Sequence, residues 1–365
     1  WNDEHILTGG ADGNVMKRDT GSSGGWKWST LNIAIDLDPL DLDSLDSFPI
    51  SSLPAPGSTG RLIRLSDVAR GVMMDQGAQW FSLNGGICNV REFGAKGDGV
   101  TDDAVAIQAA LDAVPTSGGG VFFPVGVYQC STKPTYTNRS LHLFGTGQGV
   151  SVVRFTGASG GFACTFDEIT DNLTVHDLTL LTASVAGGTA LDARWPSTAS
   201  STFSNCLLYN LEIAPDNPST HYWTKGIYLS DAWNAVLDSI WYRGKDNNVS
   251  STAGIELAGQ SVDVRISKCY VAFVATGISI GGTCEGFQIG QSIIIYVTTG
   301  INATTGGGEP GTSIIGNHIS AFVADIVFTN RTQVSVLGNL LYKREDSGND
   351  FVGIQLTGSD HNRII

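Results

Sequence analysis

"GIELAGQSVDVRISKCYVAFVATGISI", residues 254–280, contains its own repeat: Gly254-Ile-Glu-Leu returns as Gly277-Ile-Ser-Ile. The same marker stands at Gly226-Ile-Tyr-Leu, Gly300-Ile-Asn-Ala and Gly353-Ile-Gln-Leu, with Asp325-Ile-Val-Phe taking the same place. A second marker, an apolar residue followed at two positions by a turn-former, occurs at Val175, Phe203, Val236, Ile266, Ile289, Ile315 and Leu337. Its intervals are 28, 33, 30, 23, 26 and 22 residues. Two markers that keep one period argue for a solenoid in which each coil stacks on the last. A β-sandwich with regular strand spacing is the competing reading, but it does not require like residues at like positions. In the solenoid register Asn205, Asn317 and Asn339 share a turn site suited to left-handed backbone, and Cys206 and Cys269 share a core position.

Upstream, "NVREFGAKGDGVTDDAVAIQAALDAV" (89–114) runs from an apolar strand through a Gly-Asp-Gly turn into an amphipathic helix over 102–114. A solenoid exposes the apolar end of its first coil together with unpaired strand groups, and something must cover them. Val105, Ile107, Ala109, Ala110, Leu111 and Val114 supply an apolar helix, with Thr101 or Asp102 to cap its free amides. The helix is expected to be a lid.

This stretch, followed by "GGGVFFPVGVYQCS", resembles the start of the pectate-lyase-like right-handed β-helix superfamily, as found in bacteriophage tailspikes, polysaccharide depolymerases and secreted pectin-degrading enzymes. The resemblance implies an all-β, right-handed parallel β-helix with an N-terminal capping helix. It also implies that Gly94, Gly97, Asp98, Gly99, Thr101, Asp102 and Asp103 form the capping entry rather than an active site. Chemistry does not follow from it, because lyases, hydrolases and structural proteins share the fold. In residues 1–35, "GGADGNVMKRDTGSSGGWKWS" resembles small Gly/Trp modules of phage tail fibres. Residues 36–87 read as linker and connector, 61–72 being open between a helical turn and a strand, and 88–365 as the β-helix. The chain begins at Trp1 and stops at "HNRII" in mid-strand, which reads as a piece of a longer product.

Glycine numbers 46 of 365 residues and charged residues are 15%, a composition suited to short strands and tight turns. The formal net charge of −14 argues against a nucleic-acid or anionic-membrane partner and leaves a glycan open. No stretch is apolar for long enough to span a membrane. The six scattered cysteines suggest free, buried thiols, and no Cys/His cluster suggests a metal. The Asp-x-Asp spacing of 36–46 lacks the glycine and closing glutamate of a calcium loop. No cofactor is expected.

Glycoside hydrolysis requires two carboxyl groups across the bond, whereas a lyase requires a base and something to neutralise a uronate. Strand alternation points Ile255 and Leu257 inward and Glu256 outward, between Tyr228 and Ser279 on neighbouring coils. Asp231 ends the preceding strand, and Arg265 also faces outward. Residues 216–246 read as a long excursion rich in aromatic rings. The candidate catalytic acids are therefore Glu256 and Asp231, and the candidate saccharide surface is Trp223, Trp233, Trp241, Tyr228 and Arg265. The competing reading packs these aromatics between subunits or under their own loops. As a whole the sequence suggests a virion tailspike or tail-fibre subunit, a homotrimer joined to other tail or baseplate proteins through its N-terminal region. It would bind, and perform or omit cleavage of, a bacterial surface glycan. The alternatives are a secreted monomeric lyase or hydrolase and a catalytically silent fibre.

Overall fold

In the computed structural model the described residues are 14–18, 26–30, 47–48, 55, 57, 62–65, 72–75, 80–82 and 86–365, apart from 138, 198–204, 247–250, 305–310 and 345–349. The chain divides into two units, 1–46 and 47–365. In the first, Asn14–Arg18 pairs antiparallel with Trp26–Thr30; the rest of the fibre-like module expected over 1–35 lies outside the described residues. The second unit begins with a small sheet of Ser47–Phe48, Leu62–Leu65, Val72–Asp75 and Trp80–Ser82. The segment expected as a connector thus carries strands, and within 61–72 the described residues Leu62–Leu65 form one of them.

A single α-helix among the described residues, Ala104–Asp112, precedes the stacked coils. Ile107, Ala110 and Leu111 are buried in the same cluster as Val90, Val121 and Leu143, so the helix closes the first coil as a lid. Its face differs from the expected one at Val105, which is exposed. The cap is met in part, by Asp102 and not by Thr101. Asp103 is the N-cap without a side-chain cap bond, and its carboxylate turns back to accept the Lys96 and Gly97 amides at 2.7 and 3.1 Å. Asp102 accepts the Ala104 amide at 3.2 Å and the Ser131 amide at 3.1 Å. Asp98 takes the Val100 and Thr101 amides, and these bonds hold its carboxyl down at about 2. Gly97 has φ +64, and a Cβ there would lie 2.8 Å from the Tyr128 ring. The acids of the entry motif therefore organise backbone, as the resemblance implied.

Beyond the lid, three parallel sheets run along the stack, each built from one strand per coil. Sheet one contains Leu141–Phe144, then 173–176, 206–209, 236–238, Arg265–Ser267, Gln288–Gly290, Thr312–Ile315 and Val334–Leu337. Sheet two contains Gly126–Cys130, Ser151–Phe155, then 178–182, 211–213, 241–243, 270–272, 293–297, 318–321 and Leu340–Lys343. Sheet three contains Thr135–Thr137, Phe162–Thr165, Thr189–Arg194, Lys225–Ser230, Ala253–Ala258, then 276–280, 299–304, 324–329 and Val352–Thr357. This is the parallel β-helix the repeat predicts. Ile227, Ile255, Ile278, Ile301, Ile326 and Ile354 lie one above another, as the Gly-Ile marker required.

The other marker needs correction. Left-handed backbone at the corner from sheet one to sheet two falls on Asp177, Asn210, Ser239, Lys268, Gln291, Gly316 and Gly338. Asn317 and Asn339 come one residue later and face inward. Asn339 Oδ1 accepts both the backbone and the side-chain N–H of Asn317, and Asn317 Oδ1 accepts the Ser292 amide. Asn205 belongs to another corner, where its Oδ1 accepts the Trp233 amide at 2.8 Å. Cys206 and Cys269 do not share a position either. Cys206 pairs in register with Leu173 on sheet one, whereas Cys269 follows the Lys268 corner and donates its amide N–H to Ser292 Oγ. All six thiols are free and buried.

Asp325 stands where the coils on either side carry Gly300 and Gly353. Its side chain is fully buried, one oxygen accepting the Ala321 amide at 2.9 Å, and burial pushes its carboxyl up to about 7 from 3.8. The folded chain holds this proton over a range where the unfolded chain has lost it. The Asp325 contribution to stability is therefore full below about pH 4 and declines as pH rises through about 7. In denaturant titrations Asp325→Asn should flatten that decline, and an unchanged slope would contradict the assignment. Ile107→Asp should cost about 3 to 5 kcal/mol by uncovering the first coil and burying an unpaired charge. A wild-type unfolding midpoint for that variant would refute the lid.

Candidate functional site

The expected site residues separate in the structure. Residues 216–246 are not an excursion but most of a coil, with strands Lys225–Ser230 and Val236–Arg243. Trp223 is 0% exposed and Trp233 6%, so neither offers a face to a sugar. Trp223 packs edge-on against Phe155 at 5.5 Å and donates its ring N–H to Ala214 O at 3.2 Å. Trp241 is 47% exposed, but on sheet two, against Tyr270. Asp231 is also committed to structure. It has φ +62, accepts Ser230 Oγ at 2.6 Å and the Gln260 amide at 3.0 Å, and its carboxylate lies over Gly259 of the next coil, where a Cβ would meet it at 2.4 Å. It spans a turn rather than facing Glu256. Arg265 is exposed on sheet one.

Glu256 and Tyr228 do stand where alternation put them, on the outward side of sheet three between buried Ile255 and Leu257. The register adds a residue that the sequence reading missed: Asp192, Tyr228 and Glu256 form one outward column. Asp192 and Glu256 are two rungs apart, about 9 to 10 Å between backbones. Arg194 holds Asp192 through both oxygens, Nε to Oδ1 at 2.8 Å and Nη2 to Oδ2 at 3.0 Å, and this bond raises the guanidinium's pKa further. Lys225 Nζ contacts Glu256 Oε1 at 3.0 Å. Both cations also approach the Tyr228 ring, at 4.7 and 4.9 Å from its centre. Two carboxylates, two cations and one aromatic ring thus occupy three successive rungs. The signal for Asp192 lay in "TALDAR", a coil marker with Ala190 at the position of Gly226.

A second titratable group lies on sheet one. His142 and His176 face each other through Nε2 at 2.6 Å, a separation that admits one shared proton, and His176 Nδ1 meets Asp177 Oδ2 at 2.6 Å. Burial, and then the neighbouring imidazole, lower the His142 pKa. The Phe144 and Tyr209 rings stack on His176 at 5.7 and 4.5 Å. Because these rings stack along the coil axis, they turn edges rather than faces outward, and the group reads as a structural column. Among the described residues, no three His, Cys, Asp or Glu side chains gather as a metal site would.

The structure is thus a parallel β-helix that carries an outward polar column on sheet three. Residues 87–308 match the family model described as rhamnogalacturonase A/epimerase, pectate lyase-like, and the chain belongs to that family. Locally it is 41% identical over 104 residues to mannuronan C5-epimerase AlgE6 of Azotobacter vinelandii, a stretch covering 25% of this chain and 12% of the epimerase. Its fold is similar to the enzymatically active domain of tailspike protein 2 of bacteriophage CBA120, with TM-score 0.61 and 13% identity over 88% of this chain and 52% of that one. It is also similar to the tailspike protein of Acinetobacter baumannii phage AM24, with TM-score 0.52 and 12% identity over 94% and 55%.

Glu256→Gln should leave stability within about 0.5 kcal/mol, because the side chain points outward. Asp231→Ala should cost about 1 to 3 kcal/mol by leaving the Gln260 amide and Ser230 hydroxyl unpaired. Thermal unfolding of the two variants distinguishes these roles, and the reverse order would overturn the register.

Proposed function

We propose that the chain is a bacteriophage tailspike or tail-fibre subunit, carried on the virion, that recognises a bacterial surface polysaccharide through the Asp192–Tyr228–Glu256 column. The observation that carries the reading is that column itself. It sets hydrogen-bonding charges and an aromatic ring on successive rungs about 4.8 Å apart. The tailspike likeness of the fold supports the virion assignment, and the N-terminal region would join other tail or baseplate proteins. Among the described residues no helix is long and apolar enough to cross a membrane.

Cleavage would use the same column. The backbones that carry Asp192 and Glu256 lie about 9 to 10 Å apart, and inverting glycosidases set their two carboxyl groups roughly 6.5 to 9.5 Å apart. One carboxyl would protonate the leaving glycosidic oxygen while the other takes a proton from the attacking water. The test is incubation with capsular polysaccharide and lipopolysaccharide from candidate hosts. New reducing ends without ultraviolet absorbance from an unsaturated sugar are expected, and Asp192→Asn or Glu256→Gln should each lower the rate at least 100-fold. An unsaturated product would favour a lyase. Binding without any product would favour a silent fibre, and no binding would sink the proposal.

A homotrimer is part of the same reading. It is supported by an outward column on sheet two in which Trp241, Tyr270, Ile293, His318 and Leu340 follow in register. Trp241, Ile293 and Leu340 are exposed there, an apolar stripe parallel to the coil axis that threefold packing would cover. Light scattering should return three chain masses, and Ile293→Lys with Leu340→Lys should return one. A monomeric parent protein would instead favour a secreted lyase or hydrolase.

A further inference from the structure

On sheet one the outward column runs Asp238, Ser267, Gly290, Ile315 and Leu337. Gly290 alone lacks a side chain, and the gap opens a depression of about 190 Å³ lined by Arg265, Ser267, Gln288, Ser313 and Ile315. That is smaller than the roughly 300 Å³ of a drug-sized pocket, and suited to one pyranose ring of a longer chain.

The fold constrains this glycine less than it does the glycines of sheet three. Gly226, Gly254, Gly277 and Gly300 each sit where a Cβ would come within 2.8 Å of a neighbouring coil's carbonyl oxygen. At Gly290 a Cβ would meet only Ile315 O, at 3.2 Å, and the backbone is not left-handed. Ser267 and Ile315 occupy the same column above and below it with full side chains. A side chain at 290 would need Ile315 O to give by a few tenths of an ångström, a smaller demand than at those four glycines.

Its walls suit an anion on a sugar. Arg265 stands at the rim, exposed, and among the described residues it makes no ion pair or side-chain hydrogen bond, whereas Arg154, Arg194, Lys225, Arg243 and Lys268 all meet carboxylates. In a chain of net charge −14, an unpaired guanidinium beside a notch fits a carboxylate or phosphate held through two parallel hydrogen bonds. Gln288 and Ser313 continue the Arg265 column with amide and hydroxyl groups. Ser267 Oγ donates to Asp238 Oδ1 at 2.6 Å, so its lone pairs are left to accept from a sugar hydroxyl. Ile315 offers an apolar floor for ring C–H groups.

We infer that the Gly290 notch is a subsite for an anionic sugar unit, on a different sheet from the Asp192–Tyr228–Glu256 column. The inference rests on the glycan reading of the protein but not on bond cleavage. The probes are a galacturonate hexamer, its neutral methyl ester and a phosphorylated oligomannoside, each titrated calorimetrically at low salt. At least one anionic oligomer should bind at least 10-fold more tightly than the ester, and which one binds separates carboxylate from phosphate. Gly290→Val, which fills the notch, and Arg265→Gln, which removes its charge, should each weaken that binding at least 10-fold. Lys133→Gln, removing the same charge from a distant coil, should not. Circular dichroism confirms folding, and Gly290→Ser provides a smaller plug. Parent-like affinity in the folded Gly290 and Arg265 variants overturns the subsite. So does equal binding of ester and acid. Binding of a host polysaccharide without binding of any anionic oligomer sinks the notch and leaves the proposed function standing, whereas binding of neither sinks both.

Discussion

Parallel stacking at one rung per coil is the constraint on which the rest of this structure depends. Each strand must set its amides opposite the carbonyl groups of a neighbour about 4.8 Å away, and every inward side chain must fit directly over the one below. Glycine at 226, 254, 277 and 300 follows, because a Cβ there would strike the next coil's carbonyl. The Asn317–Asn339 pair follows as well. Buried amides can stand in an apolar solenoid only if each bonds the next. The lid helix meets the same demand at the end of the stack, where no next coil exists.

That constraint also consumes most of the acids that look chemically available. Asp98, Asp103 and Asp231 lie at turns and accept backbone amides. Asp177 holds a left-handed corner, where burial opposes ionisation but bonds from Asn210 and His176 keep its carboxyl low. Asp192 and Glu256 instead stand on the outward side of a strand, each paired with a cation of the same sheet, Arg194 and Lys225. Stacking further arranges them in columns, so residues far apart in sequence become neighbours at fixed spacing.

The Gly-Ile marker was legible in the sequence because the inward isoleucine recurs in six coils and glycine precedes it in five of them, and it placed Glu256 between Tyr228 and Ser279 correctly. The corner was harder to read. Its left-handed residue varies from Asp to Lys to Gly, coils differ in length, and the neighbouring Asn attracted the alignment although its role is to face inward. Ala190 in place of glycine hid the coil that carries Asp192. Trp223 and Trp233 were misplaced for another reason: an aromatic residue is equally suited to the core and to a sugar, and only burial separates the two. The Gly290 notch had no signal in the sequence, since it arises from a missing side chain between two neighbours in space.

Function in this account depends on which column meets the glycan. The most direct test is a crystal structure of the protein with an oligosaccharide from the surface polysaccharide proposed as its ligand. Density for a chain lying along sheet three, in contact with Asp192, Tyr228 and Glu256, is the predicted result. A glycan seated elsewhere, with that column empty, would contradict the account.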